Sequence, residues 1–229
     1  MDALPGHRLV SGPWPLRRRE GAAGDLHADP PDADRREVVV SVVNGPAIVL
    51  GSSQPDPVDH DRAGAAGVEV VRRRTGGGAV WLEHDDPLWV DVCLPHDDPL
   101  ADDDVGRAAM WVGETWAGAL EDLGLEDVAV CCSTTRPSGD LSRLLCFGGR
   151  GPGEVTVGGS KVVGIAQRRT RSGALFSCAV ASTLRVRDLV DLLDPTVVDH
   201  EAAMAALRGA TGARASHESL TAALLSRMP

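Results

Sequence analysis

Two stretches of this 229-residue chain hold residue types that could do chemistry together. The first is RRRTGGGAV, residues 72–80, in which arginines run directly into three glycines. Consecutive glycines let the backbone approach a ligand with no Cβ in the way, and their N–H groups can form a nest for an anion. Guanidinium groups beside such a nest are planar, permanently charged donors matched to phosphate or carboxylate. A Walker loop would need Gly-Lys-Ser/Thr and then a long helix, and neither follows here. A hairpin loop with solvated arginines is the plainer reading of the same residues.

The second stretch is GEVTVGGSKVVGIAQRR, residues 153–169. It carries Lys161, the one lysine of a chain that has 22 arginines. Codon bias towards arginine accounts for the rarity, and a solvated turn lysine is the commonest fate of the residue type. Strand alternation predicts Val155 and Val157 on one face after which Gly158-Gly159 turns the chain. It puts Lys161 and Val163 on the same side, with Gly164 and Ala166 keeping nearby surface open. A lysine so placed can stabilise developing negative charge as a compact cation, or contact a bound carbonyl or phosphate.

Short β-branched runs at residues 38–43 and 47–50, parted by Asn44-Gly45-Pro46, read as strand, turn, strand. A short helix is expected at 57–66 and a strand at 68–71. Residues 79–82 and 88–94 read as a hairpin. The clearest helix covers 102–123, opening on three aspartates that suit the positive end of a helix dipole and stopping at Gly124. In it Trp116 is read as core, and Trp111 is left open. Further strands are expected at 128–132, 144–147, 155–157, 162–166 and 174–180, with an irregular segment at 133–139. Helical patterns follow at 186–193, 198–207 and 216–228. Residues 17–28 carry only a weak helical pattern. Strands and helices do not alternate as βαβ units, so the expected class is α+β.

Composition narrows the field. Charge is 23 basic against 33 acidic groups, a net of -10, which disfavours a general nucleic-acid binder. No apolar run approaches the ~20 residues of a membrane span, and the first residues lack the charged-then-apolar order of a secretory signal. The five cysteines show no CxxC spacing and suit reduced thiols. Cys93, Cys131, Cys132 and Cys178 read as strand-interior residues. No His/Cys spacing suggests a metal site. A cytoplasmic chain is expected, with no nucleic acid or membrane as partner.

Taken together, RRRTGGGAV and EVTVGGSKVVGIAQRR resemble the lipoate–protein ligase A and octanoyltransferase family, whose catalytic fold is shared with biotin–protein ligases. GPAIVLGSSQ, residues 45–54, is similar to the family's first strand pair. The resemblance covers about residues 36–185. It implies a central mixed sheet with flanking helices and a tunnel for a medium-chain acyl group. It also implies an N-terminal extension at 1–36, a catalytic domain at 37–185 and a helical segment at 186–229 packed on that domain.

By motif position Arg73, Arg74, Thr75, Gly76, Gly77, Gly78 and Ala79 would line the acyl-phosphate region. Lys161 would hold the acyl carbonyl or phosphate, and Gly164, Ala166 and Gln167 would form the opposing wall. The expected reaction is that of a ligase. ATP with Mg as co-substrate and lipoate (or octanoate) would give an acyl-adenylate. The acyl group would then pass to a lysine on the lipoyl domain of a 2-oxoacid dehydrogenase complex or on the glycine cleavage carrier protein. One alternative is a cysteine-dependent octanoyltransferase, in which Cys146 of RLLCFGG would carry a thioester. A neighbouring ammonium favours the thiolate, the form that attacks. A small buried hydrophobe is the plainer reading of that thiol. The other alternative is a non-catalytic acyl- or adenylate-binding relative. The chain departs from the family by lacking its Gly-Asn after the triple glycine and its His-Gly after the lysine strand.

Overall fold

The computed structural model describes residues 14–132 and 140–229, so the irregular segment expected at 133–139 lies outside the described residues. The larger of two sheets has seven strands. They are β1 (Leu16–Gly21), β2 (Glu37–Val43), β6 (Leu88–Pro95), β7 (Val128–Val130), β8 (Val155–Val157), β9 (Ser160–Arg169) and β10 (Gly173–Val180). Their order across the sheet is β1-β2-β6-β10-β9-β8-β7. Only β1 and β2 run parallel, and every other neighbouring pair is antiparallel. The smaller sheet, ordered β4-β3-β5, comprises β3 (Ala47–Leu50), β4 (Glu69–Arg72) and β5 (Val80–Leu82).

The expected α+β class with a central mixed sheet is what the chain adopts, and both faces of the large sheet are covered. On one side, α4 (Met110–Asp122) and α8 (His217–Arg227) bury Trp116, Leu120, Leu220 and Leu224 against Phe176 and Val90. Trp111, half-buried, meets Phe176 edge-on with ring centroids 5.7 Å apart. On the other side lie the small sheet, α6 (Val186–Val190) and α7 (His200–Leu207). They enclose Ile48, Leu50, Trp89, Leu145 and Leu193. Cover on both faces is why β2 and β6 read as nearly unbroken apolar runs without alternation. The short helices α1 (Ala23–Ala28), α2 (His60–Ala65), α3 (Val105–Ala108) and α5 (Asp140–Leu144) fill the edges. Asp104 caps α3 by accepting from the Arg107 N–H at 2.9 Å, the role expected of the aspartate run.

Three local expectations differ from the structure. Residues 16–21, with only a weak helical pattern, form β1, an edge strand whose alternating exposure suits its sequence LRRREG; residues of the expected N-terminal extension thus belong to the sheet. The Asn44-Gly45-Pro46 segment joins two strands as expected, and it carries the chain from the large sheet into the small one. β5 and β6 are likewise in different sheets, since β5 pairs with β3 while the fully buried β6 is claimed on both sides by β2 and β10. Residues 144–147 form the end of α5 and a 3-10 turn over Cys146–Gly148, with only an isolated bridge from Ala79 to Leu145.

Candidate functional site

A cavity of about 650 Å³ opens between the two sheets. One wall is the small sheet and its glycine loop, through Val49, Arg73, Gly76, Gly77, Gly78, Val80 and Leu82. The other is the large sheet, where Lys161, Gly164, Ala166, Ser177, Ala179 and Trp89 face the space. Residues 143–151 and Glu154 form the rim that contains Cys146.

The lysine wall starts from the β8–β9 hairpin. Gly158 and Gly159 both have positive φ, 55° and 74°, the combination a two-residue type I′ turn requires. Just beyond it the register jumps: Thr156 faces Lys161, but Val155 faces Val163, leaving Val162 as the extra residue of a bulge. Val162 and Val163 are both 0% exposed in the helix-side core. The bulge reverses the phase of alternation, so Lys161 shares the cavity side with Gly164 and Ala166 and not with Val163 as simple alternation predicted. A Cβ on Gly164 would stand 3.1 Å from the Cys146 sulfur and 3.6 Å from Lys161 Nζ. The thiol and the ammonium thus both border the space that a side chain at position 164 would fill.

Lys161 is 2% exposed. Its ammonium forms an ion pair with Glu154 Oε1 at 2.7 Å and donates to the carbonyls of Cys146 at 2.6 Å and Gly149 at 3.1 Å. Three protons meet three acceptors, so the lysine clamps the cysteine turn onto the hairpin. The Glu154 carboxylate is in turn held by the N–H groups of Gly151 and Ile165. Residues 209–211 complete the arrangement outside the sheet: Lys161 N–H donates to Gly209 O and Thr211 N–H to Lys161 O.

The glycine loop works differently. Arg73 is 8% exposed, and its guanidinium donates to the carbonyls of Val49, Gly76 and Gly78. Among the described residues no carboxylate pairs with it. Burial pushes its pKa down. Gly51 packs its backbone against Gly77, where any Cβ would collide, and Gln54 ties this corner together by accepting from Gly51 N–H and donating to Leu144 O. Gly78 is likewise pressed against the backbone of Leu144 and Leu145.

The structure thus brings together Lys161, Cys146, Arg73, Gly76, Gly77, Gly78, Gly164 and Ala166. It does not bring in the other four expected site residues. Arg74 is exposed and donates to Ala28 O at 2.9 Å. Thr75 is buried with its hydroxyl unpartnered, outside the cavity lining. Ala79 is buried and exchanges backbone bonds with Leu144 and Cys146. Gln167, one strand face too far, orients its amide between Val105 O and Arg169 Nε. Gln167 follows Ala166 in β9, so strand alternation sends its side chain to the other face, whereas Arg74, Thr75 and Ala79 belong to the loop between β4 and β5 and are placed by its own bonds.

Glu154, His27, Trp89 and Ser177 line the cavity without having been singled out from the sequence. A glutamate seven positions before a lysine across a Gly-Gly turn was the available signal for Glu154. No local signal marks His27 or Trp89. Burial first, then Arg73 and Arg19, lower the His27 pKa to about 4, so the ring is neutral. Asp91, next to the cavity, accepts from Ser177 Oγ at 2.6 Å, and burial pushes its pKa up to about 6. Of the remaining cysteines, only Cys178 touches the cavity lining. Cys93 and Cys178 are buried, with the Cys178 thiol pushed up to about 12, while Cys131 and Cys132 lie past the end of β7 and not inside a strand. Among the described residues, no three His, Cys, Asp or Glu side chains are grouped to hold a metal, and no helix is long and apolar enough to cross a membrane.

Comparison with known proteins places this geometry in context. The sequence model described as "Lipoyl protein ligase A/B catalytic domain" matches residues 26–228. The octanoyltransferase LipM of Macrococcus caseolyticus is 29% identical over 141 residues, 59% of this chain and 49% of the relative. The chain thus spans about half the length of that relative. Among solved structures, a lipoate-protein ligase A bound with ATP superposes with a TM-score of 0.67 at 18% identity, covering 95% of this chain and 84% of that one. A bipartite lipoate protein ligase from Thermoplasma acidophilum, described with its E2 lipoyl domain, gives 0.65 at 18% identity over 92% and 81%. At these identities the structural likeness shows the fold.

Proposed function

The chain belongs to the lipoyl protein ligase A/B catalytic-domain family, and on that footing we propose that it transfers a medium-chain acyl group, octanoyl or lipoyl, to a lysine of a lipoyl carrier domain through a thioester on Cys146. The observation that carries this reading is the place of the thiol. Cys146 lines the cavity against Gly164, and its backbone carbonyl accepts from the Lys161 ammonium. The sequence alone favoured ATP-dependent ligation, and the LipM relative shifts the weight to its alternative.

In the first half-reaction the Cys146 sulfur attacks the carbonyl carbon of an acyl thioester. A new C–S bond forms, the carrier's C–S bond breaks, and the carrier thiol leaves with the proton that Cys146 gives up. In the second half, the ε-amine of the lipoyl-domain lysine attacks the Cys146 thioester. The amide forms, the Cys146 C–S bond breaks, and the sulfur regains a proton from the amine. Both steps pass through a tetrahedral oxyanion, and donors fixed in advance stabilise such charge most. Lys161 serves this from the cavity wall, keeping the Cys146 turn in place while an acceptor among its three exchanges for the oxyanion. The Gly164 gap leaves room for the acyl carbon beside the sulfur.

ATP-dependent ligation is the second reading, favoured by one feature. Arg73 is a buried cation that has no carboxylate partner among the described residues and lies beside the glycine backbone, which suits an anionic group. Arg73 and the backbone of Gly76 and Gly77 would hold the phosphates of ATP, which would supply an activated acyl leaving group. The partner under both readings is a lipoyl domain or a glycine-cleavage-type carrier.

One assay separates the readings. Apo lipoyl domain is incubated with octanoyl carrier protein in one reaction and with lipoate, ATP and Mg in another, and intact mass is read. The proposal expects modification from the octanoyl carrier, an octanoyl adduct on the enzyme, and loss of both in Cys146→Ser. Modification only with ATP, unchanged in Cys146→Ser, would replace it by the ligase reading. No modification in either reaction would favour a non-catalytic binding protein.

A further inference from the structure

The cavity has a far end that neither reading uses. From Gly164 the pairing runs to Ala179 on β10 and from Ala179 to Trp89 on β6. Two strand spacings amount to about 10 Å. The neighbouring row runs from Ala166 to Ser177 and then Asp91. Along both rows the side chains facing the cavity are absent or small until Trp89 ends the first. Opposite stand Val49, Val80 and Leu82. The space is therefore charged near Cys146 and Lys161 and apolar along the row from Ala179 to Trp89, with Ser177 and Asp91 as the polar groups of the row beside it.

At Trp89 the open floor stops. The His27 ring lies on the indole, centroids 4.2 Å apart and 23° from parallel. Its Nε2 is sealed off from solvent and has no hydrogen-bond partner among the described residues, so that edge of the ring is packed tight. α1, which carries His27, is tied down twice. Gly24 N–H donates to Glu69 Oε1 at 3.0 Å, and Arg74 reaches back to Ala28 O. This gives Arg74, expected at the ligand, the different task of fastening the helix behind the cavity.

We infer that the stacked pair of His27 and Trp89 is the end wall of the acyl cavity, and that His27 sets the longest straight acyl chain the site accepts. This rests on the acyl-transfer reading of the same cavity. A chain reaching from the Cys146 sulfur across two strands meets the imidazole, and each further methylene must displace a packed ring. A neutral ring closes an apolar channel without presenting charge to it. Shortening the side chain at position 27 opens space in line with the channel, whereas a phenyl ring there keeps the wall.

The test compares wild type, His27→Ala and His27→Phe with octanoyl, decanoyl and dodecanoyl carrier thioesters. Relative kcat/KM is the readout, together with calorimetric binding of the free C8, C10 and C12 carboxylates. Wild type and His27→Phe are expected to favour C8 over C12 by at least about tenfold, one such factor being within the discrimination of a single methylene contact. His27→Ala is expected to narrow that ratio by about tenfold or reverse it, in transfer and in binding alike. An unchanged C8:C12 ratio in His27→Ala overturns the inference, as does equal acceptance of C8 and C12 by wild type. Should no thioester be transferred by wild type, the acyl-transfer reading fails. The carboxylate binding series, which needs no turnover, then still decides whether His27 limits chain length.

Discussion

Arg73 and Lys161 are buried cations facing one cavity from opposite sheets, and the fold satisfies them by opposite means. Lys161 has a carboxylate, Glu154, at 2.7 Å, and spends its other protons on the carbonyls that hold the cysteine turn. Among the described residues, Arg73 has carbonyls alone. Charge is thus cancelled on the lysine side and left standing on the arginine side. A buried pair tolerates removal of both partners far better than removal of one. A guanidinium bound only to carbonyls keeps its field for whatever enters the cavity. The residue with the compact charge serves as a clamp, and the forked one as both scaffold and source of positive potential.

The largest expected effect breaks the lysine side of this contrast. Lys161→Ala should lower acyl transfer by at least about a thousandfold and, by leaving Glu154 buried and unpaired, cost about 3–5 kcal/mol in urea unfolding. Pairing Lys161→Met with Glu154→Gln should recover most of the stability and none of the turnover. If the single and double variants unfold at the same urea concentration, the two residues are not a coupled pair. On the arginine side, Arg73→Lys keeps the charge and loses the fork over three carbonyls. A loss of about 1–3 kcal/mol is expected from denaturant melts, as for buried acceptors left without donors. Full stability with lost activity would show that Arg73 is not a scaffold.

Acid behaviour sharpens the picture at the far end. His27 titrates at about 4 when folded against 6.5 as its ordinary value. Between those values the unfolded chain binds the extra proton, so this group's contribution to stability falls as pH drops. Asp91 titrates at about 6 against 3.8, so over that range the folded chain binds the extra proton and its contribution rises as pH drops. The two slopes oppose each other between about pH 4 and 6. Asp91→Asn should therefore steepen the loss of stability on acidification from pH 6 to 4, and His27→Phe should reverse its sign. Parallel stability curves for both variants and wild type would refute the assignment. The smallest effect belongs to Arg74→Ala, which removes one exposed bond to Ala28 and should change stability by no more than about 0.5 kcal/mol. A larger cost, or tenfold slower transfer of octanoyl itself, would mean that Arg74 acts inside the cavity after all.

Much of the architecture was legible because its signals are local. The β-branched runs became β2 and β3, the aspartate-led pattern became α3 and α4, and the Gly-Gly turn became the β8–β9 hairpin. The glycine loop and Lys161 were legible as chemistry for the same reason, since rare residue types beside glycines carry meaning over a few positions. Strand partnership was not legible. Residues 79–82 read as half of a hairpin with residues 88–94, yet β5 pairs with β3 instead.

The sequence by itself determined the family, the class of fold and the two segments that meet at the cavity, because composition, turn residues and motif spacing act along the chain. Only the tertiary structure decided what those segments do there. A single bulge at Val162 turned Lys161 towards Gly164 and Cys146. The return of residues 16–28 to the sheet set His27 on Trp89, and Glu154 rather than an incoming anion took the lysine's charge. Each of these depends on a register or a contact between distant residues, and side-chain periodicity read along one strand has no means of sensing its partner.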